Sequence, residues 1–367
     1  MNIRSKNNMN LRIVANIHFS KRRNIMKYTN LGGCGLIVSR LALGAMTFGQ
    51  GILVGELKTN IDQNTADRMV AMSLDAGVNF IDTADMYTGG ESEIMLAKAL
   101  KDKRHDVIVA TKCGFRSGDA ITSCGLSYRY ILSAVEASLK RLNTDYIDLY
   151  LLHIPDPFAP LEETARALDD IVKKGWVRYV GFCNYPAWKA QRLLDIQKKN
   201  GFAKSVTAQM YYSLLGRDLE HEFAFFLDAN ELGLMVWSPL ASGFLAGKYT
   251  RENPAPEGSR RSKFDFPPID IEKGYEVVAK LKDLSEKMGA TIPQIAIAWV
   301  LSKPFVSSVI IGANNIGQLE DNLGAADLNM EQNYIRILDD LTETPPLYPA
   351  WMQTMGWDEK IKNSLGI

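Results

Sequence analysis

From Arg40 onwards the chain switches regularly between two patterns. Short runs rich in apolar, β-branched and aromatic residues recur at LALGA (41–45), NFID (79–82), VIVAT (107–111), IDLYLL (147–152), VRYVGF (177–182), SVTAQM (205–210), LMVW (234–237) and SVIIG (308–312). They are too short for helices and predict strands. Between them, residues 64–76, 92–103, 127–142, 161–174, 187–199, 218–232 and 276–289 carry apolar positions at helical spacing, with a last such stretch near 316–326. In SYRYILSAVEASLKRL (127–142), Ile131, Val135, Leu139 and Leu142 fall on one face, and Ser127 stands where a helix cap is needed.

Eight consecutive strand–helix units predict parallel strands covered by their crossovers. Eight is the number that closes a (β/α)₈ TIM barrel of the α/β class. The rival is a doubly wound open sheet, whose usual GxGxxG fingerprint after the first strand is not present in LALGAMTFGQG. The barrel is therefore the expected fold. Ahead of it, KYTNLGGCGLIVS predicts an N-terminal β-hairpin around a glycine-rich turn. After the seventh strand a long loop, rich in glycine, proline and charge, runs from Ser238 to about Ile271; a connection of that length is usually functional. Beyond residue 327 the chain predicts a helix at about 331–341. The segment TPPLYPAWMQTMGW that follows is expected to pack over one end of the barrel.

Residues 26–367 read as a single barrel domain. Residues 1–25 differ: Arg4, Lys6, Arg12, Lys21, Arg22 and Arg23 are accompanied by no acid. A targeting peptide is one reading, but the stretch Leu11 to Phe19 is broken by Arg12, Asn16 and His18, and no small-residue cleavage site follows. Met26 opens MKYTNLGG like a natural start, so the expectation is a disordered extension or an upstream start.

Charge narrows the partners. The 42 basic and 42 acidic side chains cancel, which gives no electrostatic reason for a nucleic-acid or membrane partner. No apolar run approaches the ~18 residues of a membrane span. Cys34, Cys113, Cys124 and Cys183 are scattered without a CxxC pair, so neither a disulfide framework nor a zinc site is expected, and a reducing cytoplasm is the natural setting. No metal site is expected at all.

Chemistry in such barrels gathers at the C-terminal strand ends. Strand two ends in Asp82, strand three runs into Lys112 and strand four into His153, while Tyr87 stands in the loop DTADMYTGG after strand two. Singly, each has an ordinary explanation as a turn cap, a solvated end or a surface aromatic. Their joint occurrence at three successive strand ends predicts a site.

The ordered set FIDTADMY, ATKCG, LLHIPD, GFCN, AQMYYSLL, WSPLASGFLAGKY and IIGANNIGQLEDNLGAAD resembles the aldo-keto reductase superfamily across roughly residues 27–328, and within it bacterial reductases related to the potassium-channel beta subunits. The resemblance implies reversible hydride transfer between a nicotinamide dinucleotide and an aldehyde or ketone. Tyr87 would be the proton donor. Lys112 would favour its phenolate, Asp82 would neutralise and position Lys112, and His153 would hydrogen-bond the substrate oxygen.

The same resemblance carries cofactor roles onto Asn184 and Gln209 for the nicotinamide carboxamide, with Cys183 where many members have serine. Trp237 falls at the position that stacks on the nicotinamide. Ser238, Leu240, Gly243, Leu245 and Lys248 fit the loop past the pyrophosphate, and Gly312, Asn314, Gln318, Asp321 and Asn322 the adenosine-end motif. For Cys183, burial as a small hydrophobe is an equal alternative. GFLAGK is one residue short of a P-loop and is followed by Tyr249, so that reading is rejected. Met46, Phe48 and Trp351 are candidate walls of an apolar substrate pocket, with packing of the barrel mouth as the alternative. NADP(H) needs a cation for its 2′-phosphate; Asn314 and Asn315 supply none, whereas GSRRSK in the long loop brings Arg260, Arg261 and Lys263 together. NADP(H) is therefore favoured over NAD(H), with Arg260 or Arg261 discriminating. The expected activity is carbonyl reduction. The alternative is a redox-sensing regulatory subunit that binds the same cofactor and acts through a partner protein.

Overall fold

The computed structural model describes residues 26–54, 57–254, 256, 259, 261, 264–353 and 358–365. The basic segment 1–25, Arg260, Lys263 and part of the tail motif thus lie outside the described residues. The described chain forms strands β1 (Tyr28–Asn30), β2 (Ile37–Ser39), β3 (Leu41–Gly44), β4 (Gly49–Val54) and β5 (Leu57–Ile61), then helix α1 (Gln63–Asp75). Next come β6 (Phe80–Asp82), α2 (Glu91–Leu100), β7 (Ile108–Cys113), α3 (Tyr128–Arg141), β8 (Ile147–Leu152), α4 (Leu161–Lys173), β9 (Val177–Cys183) and α5 (Ala187–Asn200). The series continues with β10 (Ser205–Tyr211), α6 (Phe223–Ala229), β11 (Gly233–Trp237), α7 (Ile271–Met288), α8 (Ile292–Leu301), β12 (Ser308–Ile311), α9 (Ile316–Leu323) and α10 (Gln332–Thr342). Two short helices, Ala350–Gln353 and Glu359–Leu365, follow.

Strands β3, β6, β7, β8, β9, β10, β11 and β12 pair in parallel and close into an eight-stranded barrel. Helix α3 shows why the crossovers form. Ser127 accepts the Tyr130 N–H, Ile131, Ala134 and Val135 are buried, and Lys140 and Arg141 stand at the negative end of the helix dipole. The apolar side chains separate into two cores. Phe182, Tyr150 and Leu152 point outward into the shell beneath the helices, whereas Ala42, Phe80, Ala110, Leu149, Leu151 and Met235 fill the barrel itself. Burying each large aliphatic side chain contributes about 1.5–3 kcal/mol, so the barrel is a packed body and not a pore.

The hairpin β1–β2 closes the N-terminal end. Leu31 is fully buried in the interior core, and the Gly33 N–H donates to the Glu231 carbonyl at 2.7 Å. Gly32 has φ +65, and a Cβ there would stand 2.3 Å from the Gly233 nitrogen, so only glycine fits. With that end plugged, only the C-terminal mouth is open to chemistry. Helix α10 is tied down through Asp339, which accepts the Trp299 indole N–H at 2.8 Å, and through Arg217, which donates to the Asp339 carbonyl and to Thr342. In the segment after it, Leu347, Tyr348, Trp351 and Met352 are largely exposed. No helix among the described residues is long and apolar enough to cross a membrane.

Candidate active site

The inward-facing positions of the strands turn polar together at the mouth. Period-two alternation takes β6 from Phe80 to Asp82, β7 from Ala110 to Lys112, and β8 from Leu151 to His153. On the far side β10 presents Gln209 and β11 goes from Met235 to Trp237. Five of the predicted residues, Asp82, Lys112, His153, Gln209 and Trp237, are thereby placed around the mouth.

Lys112 is fully buried, and its ammonium has three donors. It reaches Asp82 Oδ2 at 2.7 Å, the Thr83 carbonyl at 2.7 Å and Tyr87 Oη at 3.2 Å. The second carboxylate oxygen of Asp82 accepts the Gln209 amide at 2.7 Å. Burial by itself would strip the proton from Lys112; the charge of Asp82, followed by Tyr87, outweighs it and holds the ammonium above its ordinary range. The Tyr87 ring meets the His153 ring edge-on at 5.8 Å, and the Phe115 ring also packs edge-on against His153 at 4.6 Å. His153 is pushed well below its ordinary pKa by burial and then by Lys112, so its imidazole is neutral. Its Nδ1 has no protein partner.

Lys112 does pull the Tyr87 hydroxyl toward the phenolate, but burial is the larger effect and Asp82 opposes the lysine, so Tyr87 titrates above its ordinary value. The resting site presents a phenol. A phenol, a neutral imidazole and a fixed ammonium behind them form a proton donor and a polar cradle for an oxygen that is becoming negative.

Tyr87 is held by a loop that continues the pairing of β6 with β7. The Thr83 N–H donates to the Ala110 carbonyl at 2.9 Å, the Asp85 N–H to the Lys112 carbonyl at 3.1 Å, and the Tyr87 N–H to the Ala84 carbonyl at 3.2 Å. The chain then turns sharply through Thr88 (φ 49), Gly89 (φ 65) and Gly90 (φ 95). The antiparallel hairpin β4–β5 braces that turn, with Thr88 Oγ1 donating to the Phe48 carbonyl at 3.0 Å. Gly49 (φ +127) comes so close that a Cβ would lie 2.6 Å from Thr88 Cγ2.

The cofactor candidates form a second group beside the first. Asn184 adopts φ 59, donates its amide to the His153 carbonyl at 3.0 Å and accepts the Trp237 indole N–H at 3.1 Å. Trp237 contacts Tyr211 at 5.1 Å and lies parallel to Phe266 at 5.6 Å. After β11, Ser238 (φ 54), Ala241 (φ 47), Ser242 (φ 54) and Gly243 (φ 88) turn left-handed in succession, and the space beside Gly243 is open. The N–H groups of Ala241 and Ser242 are donated within the turn to the Ser238 carbonyl and Oγ, both at 2.9 Å, and that of Gly243 to the Leu240 carbonyl at 2.9 Å. Leu240 lines the turn part-buried, Leu245 is buried as packing, and Lys248 is exposed with its ammonium 5.5 Å from the Tyr249 ring.

At the last barrel unit Gly312 is open to solvent, Gln318 accepts the Asn314 N–H at 2.9 Å, and the Asn322 amide holds the Gly312 carbonyl at 3.2 Å. Asp321 is engaged elsewhere. It accepts Thr291 Oγ1 at 2.9 Å and the Gln294 amide at 3.0 Å, which ties α9 to the start of α8. Cys183 is fully buried inside the barrel and burial pushes its thiol far up, so it serves as packing beneath the site. Arg261 is buried within the long loop, where it pairs with Asp265 and donates to the Pro267 carbonyl at 2.8 Å. Of the pocket candidates, Met46 is partly exposed, Phe48 belongs wholly to the shell core, and Trp351 lies in the tail against Tyr348. Phe48 therefore contributes a carbonyl to the Tyr87 turn and no wall. Sequence reasoning missed Phe115; the available signal was its place three residues after Lys112 in the loop leaving the same strand.

The family model described as "Aldo/keto reductase family" matches residues 40–343. A protein of Arabidopsis thaliana named "Probable voltage-gated potassium channel subunit beta" is 35% identical over 312 residues, which covers 83% of this chain and 92% of the relative. One of the same name from Oryza sativa subsp. japonica is 36% identical over 312 residues, with the same coverage of 83% and 92%.

Proposed function

Because the chain belongs to the aldo/keto reductase family, we propose that it reduces aldehydes or ketones to alcohols, reversibly, with Tyr87 as the general acid. The observation that carries this reading is the placement of one ammonium, Lys112, against both Asp82 and Tyr87, with neutral His153 in ring contact. A bound nicotinamide dinucleotide supplies the hydride. As the carbonyl oxygen gains negative charge, Tyr87 Oη gives it a proton and Lys112 stabilises the phenolate left behind. His153, uncharged, has an N–H to offer that oxygen. Asp82 keeps Lys112 charged and in place. With the phenol protonated at neutral pH, the resting site is set for the reductive direction.

Asn184, Gln209 and Trp237 would hold the nicotinamide end, the left-handed turn at Ser238–Gly243 the pyrophosphate, and Gly312, Gln318 and Asn322 the adenosine end. We assign NADP(H) as the preferred cofactor. Since Arg261 already has partners in the loop, Arg260 takes the 2′-phosphate and Arg261 shapes the loop. Four free thiols suit a reducing compartment. The test is oxidation of NADPH and NADH across a panel of aldehydes and ketones, in the wild type and in Tyr87→Phe; near-full turnover by the variant would overturn the assignment.

A second reading is favoured by the name that both plant relatives carry. In it the protein binds the cofactor and regulates a membrane channel partner, using its redox state as the signal. A single turnover followed by arrest in the same panel supports this reading, and sustained turnover supports the first.

A further inference from the structure

Behind the loop that carries Tyr87 lies a buried acid that the mechanism leaves unused. Asp85 is 2% exposed and sits two residues before Tyr87, between β7 and α3. Its Oδ2 is 3.4 Å from Tyr130 Oη, and its Oδ1 has no protein partner. Tyr130 Oη is also 2.8 Å from Ser117 Oγ and 3.4 Å from the carbonyl of Phe115, the residue whose ring packs on His153. One tyrosine hydroxyl therefore stands among three oxygens and has one proton to give.

Counting protons decides which state of Asp85 completes this chain. The Phe115 carbonyl can only accept, and an ionised Asp85 can only accept, so the two compete for the single Tyr130 proton. A protonated Asp85 donates to Tyr130 Oη instead, Tyr130 donates to the Phe115 carbonyl, and Ser117 completes the tyrosine's acceptor side. Tyr130, Ser117 and the Phe115 carbonyl are then all satisfied, and only Asp85 Oδ1 stays without a partner.

We infer that Asp85 is a positioning residue: as a neutral carboxylic acid it links the loop bearing Tyr87, through Tyr130, to the Phe115 segment that backs His153, and its ionisation breaks that link. The inference rests on the reductase reading of the site. The groups facing Asp85 are Glu93 on α2, Tyr130 and Arg141 on α3, Cys113 on β7 and Tyr150 on β8. Burial first and the charge of Glu93 second raise its pKa to about 7, against the pull of Arg141, the Tyr130 hydroxyl and the Met86 N–H. Arg141 is itself paired to Glu93 at 2.6 Å, so the two opposite charges act on Asp85 together and burial is the main cause. The switch thus falls near neutrality, whereas Tyr87 keeps its proton beyond its ordinary value of 10.

The experiment measures NADPH-dependent reduction of 4-nitrobenzaldehyde, together with thermal melting, for wild type, Asp85→Asn and Tyr130→Phe. Between about pH 6 and about pH 8.5, wild-type kcat is expected to fall roughly thirtyfold, as for one proton lost near 7. Asparagine donates at every pH, so Asp85→Asn should stay flat over that range. Tyr130→Phe, without the bridging proton, should be slow and flat. The same falling limb in Asp85→Asn would overturn the inference. Should the wild type reduce no carbonyl at any pH, the reductase reading fails separately, and melting still reads the link. A carboxyl whose pKa is raised by folding costs stability as pH climbs from its unfolded value toward 7, so over that range the wild type should lose melting temperature relative to Asp85→Asn. Equal losses in both would overturn the role of Asp85.

Discussion

Gln209 gives its side-chain amide to Asp82 at 2.7 Å from the opposite wall of the barrel, since β10 and β6 stand four strands apart in the closed sheet. The carboxylate that neutralises Lys112 is therefore also the anchor of a tie across the lumen. Asp82→Asn leaves the fully buried Lys112 ammonium without its counter-charge, and breaking a buried pair this way costs about 3–5 kcal/mol. Gln209→Leu leaves the ion pair in place and only one carboxylate oxygen without its donor, a cost of about 1–3 kcal/mol. Urea unfolding should rank the two variants in that order. A reversed order would mean that Lys112 draws its stability from groups other than Asp82.

Tyr87→Phe removes one oxygen and leaves Lys112 bonded to Asp82 and to the Thr83 carbonyl. Loss of a positioned general acid lowers kcat by about 10²–10⁴-fold. Quenching of protein fluorescence by NADPH should be nearly unchanged, because the residues assigned to the cofactor lie at the end of β9, on β10 and β11, in the loops after β11 and β12, and on α9. A parallel loss of cofactor binding would instead make Tyr87 part of the binding surface.

The strands, and with them Asp82, Lys112 and His153, were legible because each polar residue ends an apolar run, and a parallel barrel places successive strand ends side by side. What the sequence hid depends on surroundings. Helix α8, IPQIAIAWVL, has Ile295 to Val300 all buried, so it carries no one-sided stripe to betray a helix. The hairpin β4–β5 is short and glycine-rich, which reads as loop. The stretch 218–232 reads as one helix, yet Glu222 at φ −148 divides it into a 3₁₀ turn (Asp218–His221) and α6. The net direction of the Tyr87 shift is not legible for a similar reason: the nearby lysine, which favours the phenolate as expected, is visible in the motif, but the burial that outweighs it exists only after folding. The partners of Arg261, Asp265 and the Pro267 carbonyl, are not legible in GSRRSK because they come together only in the folded loop.

His153 supplies a pH prediction with a definite sign. Its folded pKa lies well below its ordinary 6.5, so as pH falls through 6.5 the unfolded chain takes up a proton that the native state refuses. Native stability is then lost toward acid, at up to ~1.4 kcal/mol for each pH unit below that point. His153→Gln cannot titrate and should be free of this component. The stability difference between wild type and variant, followed by denaturant unfolding from about pH 7.5 down to about pH 5, should therefore move in favour of the variant. A difference that stays constant would show that the native imidazole takes up its proton as readily as the unfolded chain does.

Cofactor choice separates the two neighbouring arginines of the long loop. Arg261 is buried, pairs with Asp265, bonds the Pro267 carbonyl and lies 5.9 Å from the Phe244 ring, so it fixes the loop against the turn after β11. That turn is the proposed pyrophosphate seat, common to NADPH and NADH. Arg261→Ala should accordingly weaken both cofactors together. Arg260 is assigned the 2′-phosphate, which NADH lacks. A charge-assisted contact contributes about 1.5–3 kcal/mol, so Arg260→Ala should weaken NADPH by about ten- to a hundredfold and leave NADH nearly as it was. Fluorescence titration of both single variants with both cofactors decides the matter. If Arg260→Ala weakens the two cofactors equally, or if the wild type prefers NADH, the assignment of the phosphate contact is wrong; if only Arg261→Ala discriminates, the bond to Asp265 must open when the phosphate binds.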